Sequence, residues 1–93
     1  METGIDLIAK ERKEQIEKHG RTIEKDVTEN DNGQLKYGAV ALLNSIEEDF
    51  PSEWDSELCK KMMAKTELEK VIIAGALIAA EIDRLKAMEV TNG

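Results

Sequence analysis

The run from Val71 to Ala80, Val-Ile-Ile-Ala-Gly-Ala-Leu-Ile-Ala-Ala, places ten successive uncharged residues in a chain that is 35% charged. A helix with this pattern is apolar on nearly every side and has to be covered on nearly every side, which asks for more partners than a helix pair supplies. Its small residues Ala74, Gly75, Ala76, Ala79 and Ala80 let neighbouring backbones approach closely. The stretch therefore predicts an all-α fold: a small bundle of three long helices plus one short helix. A second copy of the chain, in a homo-oligomer, is the expected source of further cover. The run is too short to cross a bilayer.

Ninety-three residues make one domain, 1–93, of a size that buries roughly 60–65% of its unfolded surface. Twenty acidic residues against thirteen Lys and Arg give a net charge of −7, which argues against DNA, RNA or an anionic membrane as a partner. The basic residues Arg12, Lys13, Lys18, His19, Arg21 and Lys25 nevertheless lie close together in sequence. The single Cys59 rules out an intrachain disulfide and fits a reducing compartment. No signal peptide is visible after Met1, so the expected localisation is cytoplasmic.

Along the chain, Thr3 is placed to cap the first helix, with Asp6 in the acidic capping position. Ile5, Ile8, Ala9, Arg12, Gln15, Ile16 and His19 then trace a stripe at helical spacing that begins apolar and ends polar. Gly20 reads as the residue that closes this helix. Residues 21–33 have no usable periodicity, and so long a connection in a small domain points to a functional or semi-ordered loop. Asn30 or Asn32 is available to cap the next helix, about 33–48, whose stripe is Leu35, Ala39, Leu42, Leu43 and Ile46. Phe50-Pro51 breaks it. A turn follows with Ser52 or Asp55 as cap, and a short helix from about 56 to 64 uses Leu58, Met62 and Met63. Thr66 and Glu69 form a capping box for a final helix to about Met88, with 89–93 a frayed tail.

Few residues carry reactive chemistry. His19 is the only histidine, so a two-histidine metal site or dyad is excluded, and its place in a last helical turn suits a cation. Cys59 sits in a Met-rich helical context that reads as packing. There is no glycine-rich phosphate loop and no serine nucleophile elbow; no catalytic residue is assigned. What remains is a binding set. Arg12, His19, Arg21 and Lys25 are donors for phosphate, with Thr22 adding a hydroxyl, while Trp54 and Tyr37 are aromatic faces on which a base could stack. The competing readings are a charged helix face for the cations and a hydrophobic plug for Trp54.

The abundance of Glu and Asp raises the all-α nucleoside triphosphate pyrophosphatases of the MazG type, which hold Mg²⁺ on carboxylates from adjacent helices. Their Glu-Glu-x-x-Glu and Glu-x-x-Asp spacings are missing. Glu11, Glu14 and Glu81 would be the metal ligands if such an enzyme were present. Glu81 and Asp83, however, lie about 200° apart on a helix.

The ordered set Glu11-Arg12-x-x-Gln15-Ile16, Gly20-x-Thr22-x-Glu24-x-Asp26, Gly33-x-Leu35, Pro51-x-x-Trp54 and Ala74-Gly75-Ala76-Leu77-Ile78-x-Ala80-Glu81-Ile82-x-Arg84-Leu85 resembles a group of short, uncharacterised phage and prophage proteins. The resemblance covers roughly residues 9 to 85. It implies a setting more than a mechanism: a bacteriophage or integrated element expressed in a bacterial cytoplasm. The chain departs from that pattern at Arg21, where the family usually has an aromatic, near Leu58 and Cys59, where tryptophans are frequent, and at Ile73, where many members have lysine. The matched polar residues Glu11, Arg12, Gln15, Thr22, Glu24, Asp26, Glu81 and Arg84 are either part of a ligand site or a salt-bridge network fixing the long loop.

Three functions follow as expectations. The first is a non-catalytic nucleotide-binding protein, such as a phage sponge sequestering a nucleotide immune signal, with Arg12, Gln15, His19, Arg21, Thr22, Asp26, Tyr37, Trp54 and Arg84 as ligand-binding residues and no cofactor. The second is a divergent MazG-like pyrophosphatase using Mg²⁺. The third is an adaptor or inhibitor of a host protein.

Overall fold

The structure is a computed structural model that describes residues 2–20, 22–30 and 33–92, the side chains of 90–92 excepted. Among the described residues it is all-α, with helices α1 (Gly4–His19), α2 (Ile23–Glu29), α3 (Gln34–Asn44), α4 (Ser56–Met63) and α5 (Glu67–Asn92) and one 3₁₀ turn at Glu47–Asp49.

Local capping chemistry sets the first helix. The Thr3 side chain accepts from the Asp6 amide while the Asp6 carboxylate accepts from the Thr3 amide. That hydrogen bond holds the Asp6 carboxyl below its ordinary range. Gly20 closes the helix in the left-handed region at φ 64°, where a side chain is strained.

The α5 helix is the axis of the fold, and α1, α2 and α3 all pack against it. Its Ile73, Ala74, Leu77 and Ala80 meet Leu35, Ala39 and Leu42 of α3, with Phe50, Cys59 and Met62 completing the core. Leu35 and Leu42 have no exposed surface, and each such leucine contributes about 1.5–3 kcal/mol. Two close approaches depend on glycine. A Cβ on Gly75 would stand 2.6 Å from Ile8 Cδ1, so α1 crosses α5 there. A Cβ on Gly38 would stand 2.4 Å from Trp54 Cη2, so the indole rests directly on the α3 backbone.

Four expectations need correction. Residues 23–29, read as loop, form α2, with Thr22 as its N-cap accepting from the Lys25 amide. Seven residues are too few to display a period, and much of what positions this helix comes from elsewhere in the chain. The second long helix stops at Asn44 rather than Glu48, where Ser45 turns into the left-handed region at φ 56°; Ile46, beyond its end, and Leu43, within it, are exposed. Gly33, not Asn30, occupies the N-cap of α3, and Asn32 lies outside the described residues. The last helix continues through Glu89 to Asn92 instead of fraying. The capping residues Asp55 and Thr66 stand as expected, accepting from the amides of Glu57 and Glu69.

The apolar run is covered on one side only. Val71, Ile78, Ile82 and Leu85 are each more than 40% exposed. No helix among the described residues is long and apolar enough to cross a membrane.

Candidate functional site

Helix α1 carries two buried polar side chains one turn apart, Arg12 and Gln15, and they face different surroundings. Arg12 enters a polar chain that ties four parts of the fold together. Its Nη2 lies 3.7 Å from Asp26 Oδ2 of α2 and 3.9 Å from Asp83 Oδ2 of α5. The other oxygen of Asp26 accepts from Asn30 Nδ2 at 2.9 Å, and Asn30 Oδ1 accepts from the indole Nε1 of Trp54 at 3.1 Å. Asp26 is only 1% exposed. A carboxylate so deeply placed requires a cation and hydrogen bonds around it, and this chain provides both. It also explains how α2 is held on the bundle.

Arg84 is occupied in another way. Its Nε and Nη2 donate to the two oxygens of Glu81 at 2.7 and 3.1 Å, a bidentate pair within one helix. Its Nη1 donates to Met88 Sδ at 3.1 Å. Arg12, expected to donate to phosphate, and Arg84, expected in the ligand-binding set, are therefore both engaged by carboxylates of the same chain.

Gln15 instead lines a cleft of about 170 Å³ between α1, α4 and α5. Trp54, Leu58, Met62, Ile73 and Leu77 make its apolar wall, while Glu11, Glu14 and Lys65 supply charge and His19 an imidazole. Gln15 Oε1 is buried and has no hydrogen-bond partner among the described residues. Its Nε2 donates to Glu11 Oε2 at 3.5 Å. Because the carboxylate only accepts, this contact sets which end of the amide is NH₂ and leaves the carbonyl oxygen unanswered. Burial and the neighbouring Glu14 charge push the Glu11 carboxyl above its usual range. The hydrogen bond from Lys18, at 3.0 Å, holds Glu14 below it.

Trp54 is positioned from three directions. The turn from Pro51, whose carbonyl accepts from the Trp54 amide at 3.1 Å, carries it back toward the bundle. Gly38 admits its ring, and Phe50 lies alongside with ring centroids 6.1 Å apart.

Of the ligand-binding set expected from sequence, Gln15, His19 and Trp54 meet in the cleft. Arg12 and Asp26 belong to the polar chain, Thr22 caps α2, and Arg84 pairs within α5. Tyr37 is 59% exposed and is not part of the cleft lining. Arg21 lies outside the described residues. His19 also borders a second, polar recess with Lys25, Asp26, Glu29 and Asn30. The carboxylates named for the enzyme reading are divided, Glu11 and Glu14 in the cleft and Glu81 on Arg84. Among the described residues, no three His, Cys, Asp or Glu side chains group to hold a metal ion. Lys65 and Asn30 carry no sequence signal that marks them as site residues, and their roles arise only from tertiary proximity.

Comparison with protein-family models, with curated proteins and with solved structures found no match.

Proposed function

We propose that this protein is a non-catalytic binder of a small molecule bearing an amino-substituted nucleobase, with the base held in the cleft beside Trp54. The observation that carries this reading is Gln15: a buried carbonyl oxygen without a partner, in a cleft walled by an indole and aliphatic side chains. An unsatisfied buried acceptor costs about 1–3 kcal/mol, and a ligand N–H in the cleft would relieve that cost.

The size of the cleft limits the ligand. At about 170 Å³ it falls below the ~300–1,000 Å³ of sites that enclose a drug-sized molecule. It suits one planar ring, with any sugar and phosphate lying outside. The acceptors Gln15 Oε1, Glu11 and Glu14 favour a ring edge rich in N–H donors, as in adenine or cytosine, over uracil or hypoxanthine. Lys65 at the cleft is a cation for a substituent carrying negative charge, and His19 offers an imidazole N–H beside it. Sequestering such a molecule fits the phage setting that the sequence resemblance implies.

The test is a thermal-shift series with adenosine, inosine, cytidine and uridine and their monophosphates. Adenosine and cytidine compounds are expected to raise the Tm more than their inosine and uridine counterparts, with an affinity ratio of about 3–10-fold for the missing hydrogen bond. The ligand should be recovered chemically unchanged. A flat response across the series, or conversion of the ligand, overturns the proposal.

A further inference from the structure

The outward side of α5 has its own order. Leu68, Val71, Gly75, Ile78, Ile82 and Leu85 are spaced alternately three and four residues apart, the repeat with which one helix presents a seam to another. Apart from Gly75, every member is exposed, from 43% at Val71 and Ile78 to 66% at Leu68. At Gly75 the seam is filled by Ile8 of α1. The apolar surface continues from there over α1, where Ile5 is 81% exposed. Ile5, Ile8, Ala9 and Ile16, with Ala79 of α5, make the apolar wall of an open groove of about 610 Å³ that Arg12, Lys13 and Glu17 edge with charge.

We infer that this α1–α5 face is the interface through which two copies of the chain pair about a two-fold axis. A ridge (Ile78, Ile82, Leu85) lies on the same face as a groove (Ile5, Ile8, Ala9, Ile16), and a two-fold contact is made by one patch that complements itself. From their fractional exposures, Ile5, Ile16 and the exposed residues of the seam present on the order of 700 Å² in all, the quantity to set against a standard interface. That approaches the ~800 Å² each partner buries in a standard interface and exceeds the ~300–600 Å² of the largest patch on a typical monomer. A helix carrying the same three-four repeat is the natural complement of the seam, and α5 of a second copy is one. The net charge of −7 opposes the other broad apolar occupant, an anionic membrane surface. The inference does not rest on the cleft, whose residues Glu11, Gln15 and His19 line a different pocket.

Sedimentation equilibrium over a micromolar-to-millimolar concentration series tests it. The chain should sediment at twice its 10.4 kDa mass. Ile82→Glu should weaken the dimer by on the order of a hundredfold, as expected for a charge in the core of an interface, while the far-ultraviolet circular dichroism stays helical. A second variant covers the case in which Ile82→Glu fails to fold. Ile78 lies near the middle of the seam, so Ile78→Cys should form a covalent dimer on mild oxidation, while Tyr37→Cys, on the exposed side of α3, should not. A wild-type monomer throughout the series overturns the inference, including a monomer that instead sediments with vesicles or binds another protein. A dimer unaffected by a folded Ile82→Glu overturns it too, as does equal crosslinking at both cysteines.

Discussion

Arg12 and Gln15 stand one turn apart on the same helix and are almost equally buried, at 8% and 5% exposure. Their surroundings nevertheless give them different work. Around Arg12, carboxylates arrive from α2 and α5, and the charge on either side is answered within the chain. Around Gln15, one end of the amide reaches Glu11 and the other meets no partner among the described residues. Burial alone therefore does not separate a structural polar residue from a binding one. What separates them is whether the chain brings a charged partner to the buried group. Two carboxylates reach Arg12, whereas no donor among the described residues reaches Gln15 Oε1, and a buried polar atom is left without a partner only at a cost.

The largest effect expected from this contrast is on stability at Arg12. Replacing it with methionine keeps the aliphatic bulk but leaves Asp26 without the Arg12 cation, and breaking a buried pair in this way costs about 3 kcal/mol. For a domain of this size the Tm should fall by roughly 15 °C in calorimetry. A fall of only a few degrees would break the comparison, since Arg12 would then be no more structural than a surface residue.

A smaller effect should appear in the pH dependence of stability at Glu11. Burial and the nearby Glu14 raise its carboxyl in the folded protein, so the folded state holds that proton more tightly than the unfolded chain does. The sign follows from this: stability is lost as pH rises from the ordinary glutamate value through the raised one. Asp6 and Glu14 act in the opposite sense, their lowered values giving stability above the ordinary range that is lost as pH falls through the lowered ones. Glu11→Gln should remove only the first contribution. Between mildly acidic and neutral pH, the Tm of the variant should therefore rise relative to that of the parent. An unchanged difference would show that Glu11 is hydrated normally and that the cleft is wetter than its geometry implies.

Features that depend on neighbouring residues were legible in the sequence. The Thr3–Asp6 box, the Gly20 terminus and the Asp55 and Thr66 caps all use contacts within a few residues, and the structure has each of them; the helix expected to break at Pro51 stops earlier, at Ser45. The α2 helix was not legible, because Asp26 meets Arg12 fourteen positions earlier in the sequence and Asn30 meets Trp54 twenty-four later. The apolar run is legible as helical, but the face that its own chain leaves open depends on where α1 and α3 dock. The cleft was half visible. Gln15, His19 and Trp54 stand out by residue type, whereas Leu58, Met62 and Lys65 are ordinary residues that gain meaning only when α4 and α5 close the wall. Arg12 reads from sequence as a phosphate donor, and nothing near it in the chain shows that Asp26 would claim it, whereas the Glu81–Arg84 pair is local, three residues apart on one helix.

The most direct test of the contrast uses the emission of Trp54, the only tryptophan, during titration with adenosine. The parent protein should respond saturably. Gln15→Leu should keep its Tm within a few degrees, since an unsatisfied acceptor is replaced by an apolar group of similar size, yet bind adenosine about tenfold more weakly. Equal binding by parent and variant, or a variant as unstable as Arg12→Met, would contradict the assignment of Gln15 to the ligand and Arg12 to the fold.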